Sequence, residues 1–297
     1  MCGYISNMIL SESSDLISIL VPTRNRPENV IRLINSAVTN SNNPGNLEFI
    51  FYVDDDDKSF PDLESTIRTK IIYGPRMWLS IMQNILYANA SGDILMYAAD
   101  DIEFQSKDWD IRIKQEFEKY NDKILLVFGN DKGTYGEKIA THGFLHRKWI
   151  ETLGVFATPM RLSLSDQWHT ENARKIGRLV YLPDLIIKHI HYRQGEKEAF
   201  FDNTYKDVYL QSNAWRPAIT YKKLKRERRI DRVLLSEAMS NLPKIEFQYA
   251  LGEIISRKLP KDKYHSTYVR RLRSVSNINL LFLVIKYAIK RTAQKWK

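Results

Sequence analysis

Short apolar runs alternate from Leu16 onward with stretches whose apolar positions recur at helical spacing. Leu16-Ile17-Ser18-Ile19-Leu20-Val21 reads as a buried strand, closed by Pro22-Thr23-Arg24-Asn25-Arg26-Pro27. A helix is expected from about Glu28, with Val30, Leu33, Ile34, Ala37 and Val38 on one face. Leu47 to Val53 is a second strand and runs into Asp54-Asp55-Asp56-Asp57; Ile71-Ile72-Tyr73 is a third. A helix over Met77 to Ala90 is expected to stop at Ser91-Gly92, with Gly92 as its C′ residue. Ile94 to Ala99 then forms another strand and halts at Asp100-Asp101. Near-continuous apolar strands are the mark of a sheet covered on both faces. Strand, helix and strand joined by short connections imply a right-handed βαβ unit.

The pattern continues with an amphipathic helix over Asp108 to Tyr120, carrying Trp109, Ile113 and Phe117 on one face, and a strand over Ile124 to Phe128. Gly129 to Gly136 reads as a loop, and Gly143-Phe144-Leu145 leads into a helix around His146 to Leu153. Ser165 or Asp166 is placed to cap a helix that runs through Lys175 and ends at Gly177. Leu179-Val180-Tyr181 is a strand, followed by the extended segment Leu185 to His191. Residues two apart on an extended segment face the same way, so His189 and His191 share a face. The class is α/β.

Charge divides the chain. Residues 221–297 hold 20 Lys+Arg against 6 Asp+Glu, or +14; subtracting from totals of 45 and 35 leaves 25 against 29, or −4, for residues 1–220. Two parts are therefore expected: a domain over 1–220 and a basic helical region over 221–297. From Ile278 the last stretch puts Leu281, Ile285, Ala288 and Ile289 on one stripe, with Lys286, Lys290, Lys295 and Lys297 away from it. Such a helix suits an anionic membrane surface, packing on the core of the preceding domain, or a homo-oligomer contact. No aromatic RNA-binding motif accompanies it, so no nucleic acid is expected. The one cysteine, Cys2, excludes a disulfide framework. With no signal-peptide pattern and no apolar run long enough to span a bilayer, the expected location is cytoplasmic, peripheral at the inner face of a membrane if the tail binds there.

The candidate chemistry gathers at strand ends. Asp100 and Asp101 are adjacent carboxylates that repel unless a cation neutralises them. Hard divalent ions are held by one or two such groups plus substrate phosphates, although a solvated turn would show the same pair. The Asp54–Asp57 run is either a solvated loop or a hydrogen-bonding site for a base or ribose. Arg76 either reaches a diphosphate or lies on the surface. Imidazole ligates transition-type ions, so His189 and His191 join the candidates. Gly-rich dinucleotide and P-loop signatures are absent, as are G-x-S-x-G and H-E-x-x-H.

Strand one with Pro22 to Pro27, strand two ending Val53-Asp54-Asp55, and the run Asn84 to Gly92 feeding Asp93-Ile94 and Asp100-Asp101 together resemble the GT-A glycosyltransferases, family two in particular, over about residues 16–210. The resemblance implies a Rossmann-like mixed sheet flanked by helices, and a nucleoside-diphosphate sugar as donor, UDP-sugar favoured. It implies that Pro22, Thr23 and Arg24, with Asp54 and Asp55, hold the nucleotide. Arg76 would lie near the diphosphate, Asp100 at the ribose, and Asp101 on Mn²⁺ or Mg²⁺ with His189 or His191. Asp166 sits where inverting members place the general base. Ala99 stands at the first position of the family's D-x-D motif, so the chain carries an x-D-D variant. The expected activity is metal-dependent sugar transfer to a glycan or lipid-linked acceptor. The alternatives are a nucleotidyltransferase, which usually needs a Gly-rich loop that Pro22 to Pro27 lacks, and a non-catalytic protein that binds membrane or nucleic acid through its basic tail.

Overall fold

In the computed structural model, residues 16–63, 66–156, 160, 163–191, 202–203, 206 and 217–239 are described. The stretch from Ile278, and the basic region beyond 239, lie outside the described residues. The elements are β1 (Ile17–Thr23), α1 (Pro27–Asn40), β2 (Leu47–Asp54), β3 (Thr69–Gly74), α2 (Leu79–Asn89), β4 (Ile94–Tyr97), β5 (Ile102–Phe104), α3 (Trp109–Glu118), β6 (Leu126–Asn130), β7 (Gly143–His146), α4 (Arg147–Leu153), α5 (Ser165–Lys175), β8 (Leu179–His189), α6 (Pro217–Lys223) and α7 (Lys225–Met239).

Eight strands form one mixed sheet in the order β3-β2-β1-β4-β7-β6-β8-β5. β3, β2, β1 and β4 run parallel, β7 is antiparallel to β4 and β6, and β8 is parallel to β6 and antiparallel to β5. The chain leaves β1 toward β2 and β3, then returns to β4 on β1's other side, which makes a topological switch point between β1 and β4. Ligands of open α/β sheets bind at that position, outside the carboxyl ends of the strands. The directions also decide what else reaches this edge: the carboxyl ends of β6 and β8, and the amino ends of β7 and β5.

Alternation along the strands builds a core on each face. Ile17, Ile19 and Val21 of β1 and Phe49, Phe51 and Val53 of β2 pack with Val30, Leu33, Ile34 and Ala37 of α1 and with Trp109, Ile113 and Phe117 of α3. Leu20, Ile50 and Tyr52 face the other way, onto Ile81 and Ile85 of α2, Trp149 and Ile150 of α4, and Ile230, Leu234 and Leu235 of α7. Part of the basic C-terminal region is thus packed on the sheet domain. Beside that packing, Trp168 of α5 donates its indole N–H to Asp231 of α7 at 2.9 Å, and Arg228 of α7 pairs with Glu171 of α5 at 3.1 Å. These bonds brace the helix that carries Asp166.

Four expectations are corrected. Gly92 is not the left-handed C′ residue of α2: the helix ends at Ala90 in extended backbone, and Gly92 is instead required by space. A Cβ there would lie 2.5 Å from the Leu16 carbonyl oxygen and 2.7 Å from Ser18 Oγ. Neither Ser165 nor Asp166 caps α5; Leu164, at φ 68°, is its N-cap residue, and no side-chain cap bond is made. Leu179 to His189 is one strand, with a bulge beside Gly129 of its partner, rather than two. Gly143 to His146 is a strand, and Ile102 to Phe104 is a further one, too short to announce itself in the sequence.

The Gly92 contact closes a buried polar cluster. Ser18 donates to Glu48 at 2.6 Å, the Gly92 N–H donates to Ser18 Oγ, the Ser91 N–H donates to Glu48, and Lys70 pairs with Glu48 at 2.8 Å. Burial pushes the Glu48 carboxyl up, but the bonds from Lys70, Ser18 and Ser91 outweigh it and leave the carboxyl below its ordinary value. Gly92→Ala is expected to lower unfolding free energy by about 2–3 kcal/mol, the scale of an overpacked core site. A chemical denaturation midpoint equal to wild type would contradict this.

Candidate active site

At the switch point Thr23, the last residue of β1, donates its hydroxyl to Asp100 at 2.7 Å. Arg26 pairs with the other Asp100 oxygen at 3.0 Å and makes a two-pronged bond to Asp202 at 2.7 and 2.9 Å. Burial raises the Asp100 carboxyl; Arg26 and Thr23 pull it down, Asp101 pushes it up, and the balance remains raised. Asp100 and Asp101 are thus adjacent acids at 3–4% exposure, with Arg26 paired to Asp100.

The four acids from the end of β2 onward, Asp54 to Asp57, separate into two roles. Asp54 and Asp57 are buried, whereas Asp55 and Asp56 are exposed. Arg24 pairs with Asp54 at 2.8 Å and forks onto Asp56, and Arg76 stands 3.9 Å from Asp54. Asp57 accepts from the Asn25 N–H at 2.7 Å and from the Ser59 N–H at 2.8 Å, so it shapes the loop after β1. Pro22, Thr23 and Arg24 thus lie beside the end of β2 that carries Asp54 and Asp55, and Arg76 approaches Asp54 from β3's side. The solvated-loop alternative fails for Asp54 and Asp57.

Across β4 lies a second cluster. Asp101, His142 and His189 each offer a ligand atom, all within 4.8 Å of one another. His189 Nε2 is 3.3 Å from Asp101 Oδ1. The His142 and His189 rings meet edge to face at 4.6 Å, and the His191 ring lies 5.1 Å from that of His189, outside the trio. Burial, reinforced by the neighbouring His189, drives His142 down to about 3, so it is a neutral imidazole. Burial acts the same way on His189, but its bond to Asp101 and the fields of Asp101, Asp131 and Asp166 overcome it and raise this group. His142 Nε2 is buried with no hydrogen-bond partner among the described residues, an uncompensated cost unless something ligates it. Two imidazoles and a carboxylate are a donor set that fits a divalent transition-type ion.

His142 was not a sequence candidate. It lies between β6 and β7, beyond the Gly129 to Gly136 stretch that reads as a loop, where the sequence pattern assigns nothing. Asp131 supplies the positioning: its carboxylate accepts from the Gly133 N–H at 2.8 Å and the Thr141 hydroxyl at 2.6 Å, and its carbonyl accepts from the His189 N–H at 2.9 Å. One residue thereby ties the His142 segment to β8. Arg26 and Asp202 were also missed as partners, being far apart in sequence.

Asp166, in the first turn of α5, is half-buried. Burial raises its carboxyl, opposed by the N–H of Gln167 at 2.8 Å and by His189. Its charge raises both His189 and Tyr97 of β4. One turn on, His169 is fully buried against Tyr97, Trp149 and Phe156, and burial lowers it to about 4. A histidine depressed in the folded state binds fewer protons than the unfolded chain between about pH 4 and its ordinary value. Stability is therefore present above that ordinary value and lost as pH falls through the window. His169 alone is expected to cost about 2 kcal/mol between pH 7 and pH 5. His169→Phe should flatten the pH dependence of the urea midpoint by that amount; an unchanged slope would contradict it.

Residues 18–167 match the family model described as glycosyl transferase family 2. No curated protein sequence matches the chain. Among solved structures, it is similar to S. aureus TarS 1-349 in complex with UDP, at 13% identity and TM-score 0.46, over 58% of this chain and 59% of that one, under two thirds of its length. It is similar to S. aureus TarS 1-349 at 13% identity and TM-score 0.48, over 93% and 92% of the two chains. It is also similar to the mannosyltransferase PcManGT from Pyrobaculum calidifontis in complex with GDP-Man and Mn²⁺, at 13% identity and TM-score 0.46, over 94% and 87%.

Proposed function

This chain belongs to glycosyl transferase family 2 and has the GT-A fold, and from that premise we propose that it is a metal-dependent, inverting glycosyltransferase. Its donor is a nucleoside-diphosphate sugar, a UDP-sugar by preference, and its acceptor a hydroxyl of a glycan or lipid-linked glycan. The observation that carries this reading is the buried Asp100–Asp101 pair at the β1/β4 switch point, one member bonded to Thr23 and Arg26 and the other grouped with histidines.

In this reading Thr23, Arg24, Asp54 and Asp55 line the nucleotide, Asp100 accepts from the ribose, and Arg76 offsets diphosphate charge. Asp101 and His189 hold Mn²⁺ or Mg²⁺, which when bound supplies positive charge to the departing diphosphate oxygens. Asp166 takes the proton from the acceptor hydroxyl. Its burial favours this role, because a carboxyl raised above its ordinary range is a stronger base. A base on the acceptor side lets one displacement suffice, without an enzyme nucleophile.

The direct test is release of nucleoside diphosphate from a panel of nucleotide sugars, with Mn²⁺, Mg²⁺ or chelator and a mixture of glycan acceptors. Metal-dependent release from one donor is expected. Absence of release from every donor, by protein shown to bind nucleoside diphosphate, would overturn the transferase reading.

A further inference from the structure

We infer that His142 completes a three-ligand protein site with Asp101 and His189, so that the chain holds a transition-series divalent cation before the donor arrives, in preference to Mg²⁺. The inference rests on the transferase reading only for what the ion is used for; the site itself is argued from side chains.

A cation held by a single carboxylate depends on substrate phosphates for the rest of its coordination, and the hard ion Mg²⁺ is commonly bound that way. The arrangement here differs. Three ligand atoms from three separate segments lie within 4.8 Å of one another. Two are imidazole nitrogens, which suit first-row transition ions better than they suit Mg²⁺, an ion served by oxygen ligands. The orphaned His142 Nε2 gives the second observation: a nitrogen enclosed by protein, without a hydrogen bond among the described residues. The site is also held in advance. Asp131 fixes Thr141, next to His142, through its carboxylate and fixes His189 through its carbonyl, and the Ile190 N–H donates to the Asp101 carbonyl at 2.7 Å. Asp101, His142 and His189 are therefore mutually positioned by backbone and buried bonds that owe nothing to a nucleotide. Preorganised ligands bind without first ordering the chain, which removes the need for the diphosphate as an obligatory partner.

The experiment uses the full chain, freed of metal, titrated calorimetrically with MnCl₂ and MgCl₂ in the absence of nucleotide. The bound Mn²⁺ is then examined by electron spin-echo envelope modulation to count coupled imidazole nitrogens. The expected result is one Mn²⁺ per chain, two coupled imidazoles, and weaker binding of Mg²⁺ than of Mn²⁺. His142→Ala should weaken Mn²⁺ at least as much as the about 10–100-fold that loss of a ligand's outer-shell partner costs, and leave one coupled imidazole; His191→Ala should leave two. If His142→Ala fails to fold, the wild-type nitrogen count decides. One imidazole or none in the wild-type protein would overturn the inference, as would loss of a coupling in His191→Ala. Mn²⁺ that binds only together with UDP or another nucleoside diphosphate would overturn it too, while leaving the transferase reading intact. Two-imidazole Mn²⁺ binding with no affinity for any nucleoside diphosphate would support the site and sink the transferase reading instead.

Discussion

Asp101→Asn is expected to lower the rate of sugar transfer by about 10²–10³-fold, the scale of removing one group that stabilises charge in a transition state, with the fold intact. The amide keeps the shape of the carboxylate but removes the charge that faces His189 at 3.3 Å and the cation the trio would hold. It also relieves Asp100 of a like charge, one of the influences that raise the Asp100 carboxyl. Metal affinity and turnover should fall together, while the melting midpoint records the balance between a like charge relieved at Asp100 and an attraction lost at His189. Measuring the melting midpoint, Mn²⁺ affinity and turnover on one preparation separates these effects. Full activity in Asp101→Asn would sink the assignment of the site.

Asp166→Asn should be as damaging by a different route. Loss of a positioned base costs about 10²–10⁴-fold in kcat, and the donor KM should stay near wild type because a base that acts on the acceptor hydroxyl need not touch the donor. The pH profile carries the sharper signature. Burial raises the Asp166 carboxyl, and a base must be ionised to accept a proton. Wild-type kcat should therefore fall, as pH is lowered, at a pH above the ordinary carboxylate range, and the residual activity of the variant should lack that limb. Stability moves the other way. A carboxyl raised in the folded state binds more protons than in the unfolded chain, so its contribution to stability declines as pH rises through the window. Removing the charge should stabilise the protein at neutral pH while cutting turnover. A kcat within a few-fold of wild type, or an acid limb that persists in the variant, would remove Asp166 from the mechanism.

Strand ends were the most legible feature of the sequence. An apolar run that stops at a carboxylate places that carboxylate at a sheet edge whatever the details of packing, which is why Thr23, Asp54, Asp100 and Asp101 lie where their runs end. The parallel half of the sheet followed for the same reason. The antiparallel half did not, because β5 has three residues and β7 follows a segment whose order comes from one carboxylate. His142 was illegible on that account: its position depends on Asp131 reaching Thr141 and on β8 arriving from far along the chain. Gly92 shows a different limit. A glycine after a helix suggests a left-handed cap, yet here it is needed because Leu16 and Ser18 of the neighbouring strand segment leave no room for a Cβ.

The central claim, a metal-assisted nucleoside-diphosphate site at the β1/β4 switch point, is tested most directly by calorimetric titration of UDP, GDP, CDP and ADP with and without Mn²⁺. The account predicts that one of them, UDP by preference, binds one-to-one, more tightly with Mn²⁺ than without, and that Asp101→Asn removes the metal's contribution. Folded protein that binds none of the four, with or without Mn²⁺, would contradict it.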